Sequence, residues 1–188
     1  MPLTIHRKYR KIDLAKQRQR ECRVETGWRV DLAGKLRAAE RLVILGVGNS
    51  RRGDDAAGGL VVRQLLKKLG SQKEPGICLL DGGEVPESLT GEIRKFGPSH
   101  VLIVDTASGG YEPGTIFLVD REKISQDDLT THRIPLSLLV RYLEESVGCR
   151  VLIIGIEPCL LGLGEPLSDA VTKAVRLLSK RLAEILKI

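Results

Sequence analysis

A chain of 188 residues, 42% hydrophobic and 29% charged, is long enough to bury one sizeable core and implies a single globular domain. An aromatic content of 3% argues against a stacking platform for single-stranded nucleic acid. The net charge of +6 is local: residues 1–41 hold 12 Lys/Arg against 5 Asp/Glu, the rest 18 against 19, so the body is near neutral and no nucleic-acid partner is expected.

Cys22, Cys78, Cys149 and Cys159 form no C-x-x-C pair and no zinc spacing, which fits a reducing cytoplasm. The charged N-terminus has no apolar h-region, and no apolar run approaches the ~20 residues of a membrane span. A soluble, cytoplasmic monomer without membrane insertion is the expectation.

Residues 1–26 are polar and basic and read as an N-terminal extension, with the α/β domain over 27–188. A short helix is expected over Val30 to Arg41. From there apolar runs and helical patterns alternate. "RLVILGV" (41–47) has the continuous apolar character of a buried parallel strand. "AAGGLVVRQLLKKL" (56–69) sets Leu60, Val61, Leu65 and Leu69 near one helical face. "GICLLD" (76–81) is a second strand, and "PESLTGEIRKF" (86–96) opens with Pro and Glu as a helix does. "HVLIVD" (100–105) is the third strand.

"GTIFLVD" (114–120) follows after a turn-rich loop too short for a helical crossover, so an antiparallel strand is expected there. "PLSLLVRYLEESV" (135–147) reads as a helix and "RVLIIGIEP" (150–158) as the last strand. "LSDAVTKAVRLLSKRLAEILKI" (167–188) closes the chain as an amphipathic helix capped by Ser168. The pattern predicts a single-domain, three-layer α/β sandwich: a mostly parallel twisted sheet, one antiparallel strand, helices on both faces.

Ligands of such sheets bind beyond the carboxyl ends of the strands. Asp54 and Asp55 follow the first strand, Asp81 the second, Asp105 the third and Glu157 the last, while His132 lies in the loop before the helix at 135. A cluster of this kind suits a cation or water activation better than a phosphate. Taken singly, each residue has an ordinary role as well. Asp54 or Asp55 would cap the helix near Ala56, Asp81-Gly82-Gly83 is a common turn, and His132 fits a loop. His100 and His6 read as surface residues. There is no G-x-x-x-x-G-K-[ST] loop, no H-E-x-x-H helix and no G-x-S-x-G elbow. The third glycine of a dinucleotide loop is replaced by Arg51. A response-regulator receiver would carry a lysine after its last strand, where this chain has Glu157.

Four blocks in order, "ILGVGNSRRGDDAAG", "DGGEVPESLTGEIRKFGPSHVLIVDTASGGYEPGTIFLVD", "TTHRIPLSLLVRYLEE" and "VLIIGIEPCLLGLGEPLSDAV", resemble the NiFe-hydrogenase maturation endopeptidases. The likeness spans about residues 42–185 and leaves out residues 1–26. It implies an endopeptidase that removes a C-terminal extension from a hydrogenase large-subunit precursor after nickel insertion. It also implies that Asp55, Asp105 and His132 contact the metal and carry catalysis, with Asp54 or Asp55 placed to activate water. Asn49, Asp81, Gly82 and Gly83 match the family pattern as substrate-binding positions. Two carboxylates and an imidazole suit a borderline divalent ion, and the nickel is expected to arrive with the precursor rather than reside in the enzyme. The alternative is a nonenzymatic chaperone for nickel or the precursor on the same fold.

Overall fold

In the computed structural model, residues 27–70, 74–120 and 136–188 are described. The basic extension 1–26 and the segment containing His132 lie outside them. Chain order runs α1 (27–36), β1 (Leu42–Val47), a 3-10 turn (Gly53–Ala56), α2 (Ala57–Leu69) and β2 (Ile77–Gly83). A second 3-10 turn (Pro86–Leu89) leads into α3 (Thr90–Phe96), then β3 (His100–Thr106) and β4 (Ile116–Leu118). α4 (Leu136–Tyr142) continues as a π turn (Leu143–Val147) before β5 (Arg150–Ile156) and α5 (Asp169–Leu186).

The five strands form one sheet in the order β2-β1-β3-β5-β4. β1, β2, β3 and β5 are parallel, and β4 runs antiparallel to β5. β4 pairs with β5 rather than with β3, its predecessor in sequence, because β3 is already flanked by β1 and β5. All four parallel strands end at the same edge of the sheet, which collects their following loops.

Alternation along the strands feeds two cores. Leu42 and Ile44 of β1 face the layer built by α1, α2 and α5, where Trp28, Leu32, Val61, Leu65, Leu178 and Leu182 are buried. Val43, Leu45 and Val47 face the other layer, with Ile93 of α3 and Leu139 and Val140 of α4. The period of two in a pleated strand thus serves helices on both faces.

α5 shows why the last segment is a helix. Its buried positions Val171, Ala174, Val175, Leu178, Leu182 and Ala183 recur at the three- and four-residue spacing of a single helical stripe. Ser168 caps it by accepting the Val171 amide at 3.3 Å. Full burial of a leucine such as Leu178 contributes about 2 kcal/mol. α2 buries Val61, Val62 and Leu65, while Leu60 and Leu69 are half-buried. Among the described residues, no helix is long and apolar enough to cross a membrane.

His100 departs from the surface position expected of it. It is buried at the first position of the central strand β3, between Leu42 and Arg150. Its Nδ1 lies 3.0 Å from the Ser99 hydroxyl. Burial and then the Arg150 charge hold its imidazole below the ordinary 6.5. At this position Leu42 of β1 and Arg150 of β5 flank it on either side. It sits at the opposite end of the strands from the acidic loops.

Candidate functional site

The loop after β1 turns because of Gly48. Its φ of 137° belongs to glycine, and a Cβ there would overlap the Asp55 carbonyl oxygen. Asn49 then closes the turn, accepting the Arg51 amide on Oδ1 at 2.8 Å. The next glycines serve packing: a Cβ on Gly58 would overlap the carbonyl oxygens of Val47 and Val104. The start of α2 therefore lies directly on β1 and β3, with no room for a phosphate against this stretch of backbone.

The acidic pair divides between two tasks. Asp54 is fully buried. Its Oδ2 accepts the amides of Cys159 at 2.7 Å and Leu160 at 2.8 Å and the Ser168 hydroxyl at 3.0 Å, and its Oδ1 accepts the Ser168 amide at 2.7 Å. The Asp54 amide in turn donates to the Leu160 carbonyl at 2.8 Å. Burial alone would raise this carboxyl, but the donors from Leu160, Ser168 and Cys159 outweigh it and hold it below the ordinary 3.8. Asp54, expected among the catalytic residues, ties the first loop to the loop after β5 and to the cap of α5. Four donors meet a group with about four acceptor positions.

Asp55 is half-buried and turns toward β3. Its Oδ2 accepts the Asn49 amide at 2.9 Å, and its Oδ1 accepts the Thr106 hydroxyl at 3.0 Å. The Thr106 amide donates to Asp105 Oδ1 at 2.8 Å. Thr106 therefore bridges the two carboxylates, one through its side chain and one through its backbone. Hydrogen bonds of this kind orient carboxylates that meet a cation. Among the described residues, no group of three His, Cys, Asp or Glu side chains stands close enough to hold a metal. Asp55 and Asp105 supply two acidic groups, and the third expected ligand, His132, lies outside the described residues.

The remaining acidic residues reach the same edge without joining this pair. Asp81 makes an ion pair with Arg63 of α2 at 2.8 Å. Gly82 and Gly83 sit at the bulge where the β1–β2 register shifts, and the Gly83 carbonyl accepts the Gly48 amide at 2.9 Å. The Gly48–Gly83 hydrogen bond thus ties the first two loops together, while Asn49 shapes the first. Glu157 is buried and accepts the Gly109 and Tyr111 amides.

Thr106 is the residue that sequence reasoning left without a role. Its signal is faint but real: a threonine directly after the Asp105 that closes the apolar run of the third strand. Ser168 was expected as a cap and does that, yet its second hydrogen bond to Asp54 joins residues 114 apart in the chain. Cys78 and Cys149 pack in the apolar layer beside α3 and α4, away from the acidic loops. Cys149 is buried with its Sγ donating to the Leu143 carbonyl at 3.4 Å, and burial raises both its thiol and that of Cys78.

A sequence profile described as hydrogenase maturation protease, HycI, matches residues 60–185. The hydrogenase 3 maturation protease of Escherichia coli K12 is 36% identical over 141 residues, covering 74% of this chain and 87% of that protein. The crystal structure of a NiFe-hydrogenase maturation protease HycI from Thermococcus kodakarensis aligns with a TM-score of 0.76 at 37% identity, covering 84% of this chain and 99% of the other. The solution structure of the E. coli endopeptidase HycI aligns with a TM-score of 0.66 at 34% identity, covering 77% and 90%.

Proposed function

The chain belongs to the hydrogenase maturation protease family, and from that membership we propose that it cuts a C-terminal extension from a NiFe-hydrogenase large-subunit precursor once nickel is in place. The observation that carries this reading is the pair Asp55 and Asp105, bridged by Thr106 at the carboxyl edge of a parallel sheet. Two fixed carboxylates make a locally anionic site, and an anionic site selects a cation. His132 completes the set in this reading, since a neutral imidazole beside two carboxylates suits a borderline divalent ion.

The nickel is part of the substrate. It reaches the enzyme inside the precursor and reports that insertion is complete, so the protein's contribution is to hold the loaded precursor in register. Asp55 is also the group placed to take a proton from the attacking water. It is half-buried, whereas Asp54 is sealed under four hydrogen bonds and serves as the tie that fixes the loop. Asn49 supports Asp55 from behind through its backbone amide.

The test uses purified components. Precursor loaded with nickel should be cut once near its C-terminus, and the same precursor without nickel should stay intact on a gel and by mass spectrometry. Equal cleavage of the two forms would remove nickel from the recognition step. No cleavage of either form, alongside tight binding of the loaded one, would make the protein a chaperone.

A further inference from the structure

Glu157 is a buried carboxylate that the reading above does not use. It stands directly after β5, and it hydrogen-bonds to one short loop, the one that leaves β3 two residues after Asp105. Its Oε2 accepts the Gly109 amide at 2.7 Å and the Tyr111 amide at 3.2 Å. Its own carbonyl accepts the Gly114 amide at 2.8 Å, and its amide donates to the Thr115 carbonyl at 2.9 Å. One residue thus grips the loop at its middle and at its far end. At the near end, Ala107 donates to the Ile156 carbonyl at 3.1 Å.

The loop held in this way presents a side chain. Tyr111 is 40% exposed although its ring packs against Phe117, with centroids 4.8 Å apart. Phe117 is itself buried in β4. An aromatic ring backed by a core residue, on a loop tied down through the amides of Ala107, Gly109, Tyr111 and Gly114, is an amphipathic contact with little conformational entropy left to lose on binding. Its loop begins at Thr106, which orients both Asp55 and Asp105.

We propose that Glu157 is a positioning residue that holds the 107–114 loop as a fixed wall beside the Asp55–Asp105 pair, and that Tyr111 on this wall contacts the precursor polypeptide. The Tyr111 contact depends on the precursor cleavage proposed above; the hold of Glu157 on the loop does not. Burying a carboxylate costs stability unless donors compensate it, and here the donors are the backbone amides of the wall. A glutamine keeps a carbonyl oxygen that accepts both amides, whereas an alanine leaves them without their acceptor.

Amide exchange on the full chain reads the hold on the loop. Gly109 and Tyr111 should exchange slowly in the wild type and in Glu157→Gln, and fast in Glu157→Ala. With nickel-loaded precursor as substrate, Glu157→Ala and Tyr111→Ala should each raise KM about tenfold while kcat stays within about threefold. The double variant should be little worse than either single one, because the two changes remove the same contact. Fast exchange in the wild type, or an unchanged pattern in Glu157→Ala, would overturn the role of Glu157. An unchanged KM in Tyr111→Ala would overturn the contact, and this variant, altered at an exposed side chain, decides the point even if Glu157→Ala fails to fold. Failure of the wild-type protein to cut the precursor removes the processing reading and the Tyr111 contact together, while the exchange pattern still decides what Glu157 does.

Discussion

On one flank of the β1–α2 loop, Asp54 is fully buried and receives four hydrogen bonds from Cys159, Leu160 and Ser168. On the other flank, Asp55 is half-buried and receives the Asn49 amide and the Thr106 hydroxyl. The two residues are adjacent in the chain and belong to different regions of the molecule. Their divergence has a simple origin. They lie in a 3-10 turn, Gly53–Ala56, and three residues per turn send successive side chains about 120° apart. One carboxylate is therefore directed into the seam between the first loop and α5, the other toward the end of β3. Adjacent acidic residues in sequence are not a paired acidic site unless the backbone between them brings their side chains to one face.

The largest effect should come from the Asp55 side. Asp55→Ala should lower cleavage of nickel-loaded precursor by about a hundredfold or more, with a smaller loss of stability than Asp54→Ala. Asp105→Ala and His132→Ala should behave alike if the three act as one site. A folded Asp55→Ala protein that processes precursor at the wild-type rate would erase the distinction between the two flanks. Asp54→Ala should show the reverse balance. Four donors lose their acceptor, so the fold should weaken by about 3 kcal/mol, measured by denaturant titration. Any fall in its activity should follow the unfolded fraction.

The acid response sharpens the same contrast. The Asp54 carboxyl is held below its ordinary 3.8 in the fold, so the unfolded chain takes up its proton at a higher pH than the folded one. Its stabilising contribution is complete above about 3.8 and is lost as pH falls through the lower folded value. Unfolding free energy measured against pH in this acid range should therefore slope less steeply in Asp54→Asn than in the wild type. An identical slope would mean that other groups carry the acid sensitivity.

The smallest effect should belong to the bridge. Thr106→Val keeps the β-branched shape and removes the hydroxyl that Asp55 accepts. A variant that stays folded should lose about tenfold in cleavage rate, the scale of losing one orienting hydrogen bond behind a carboxylate proposed to meet the nickel. An unaltered rate would mean that the Thr106 hydroxyl is not what orients Asp55.

Much of the architecture was legible in the chain. Continuous apolar runs marked the buried parallel strands, and the three- and four-residue stripe of 171–183 marked α5. The antiparallel strand followed from a connection too short for a crossover. Boundaries were less legible: the helix read over 86–96 is divided into a 3-10 turn and α3, and that over 135–147 passes from α4 into a π turn. Local propensity does not distinguish these tight and wide turns, which depend on what the segment packs against. His100 was misplaced because the strand's apolar pattern does not tell that β3 is the middle strand, with Leu42 and Arg150 on either side of its first residue.

Hydrophobic period, glycine placement and the run of acidic residues after strands determine, by themselves, the fold class and the edge where the acidic loops gather. These are local properties, since side-chain direction repeats every two residues in a strand and every three to four in a helix. Which acidic residue does what is a different kind of fact. Asp54 takes its donors from residues more than a hundred positions away, Asp81 goes to Arg63, and Glu157 returns to Gly109 and Tyr111. The intrinsic chemistry of these carboxylates is nearly the same. Only tertiary packing, by burying some under backbone amides and leaving Asp55 beside Thr106 and Asp105, separates the groups that hold the structure from the pair joined through Thr106.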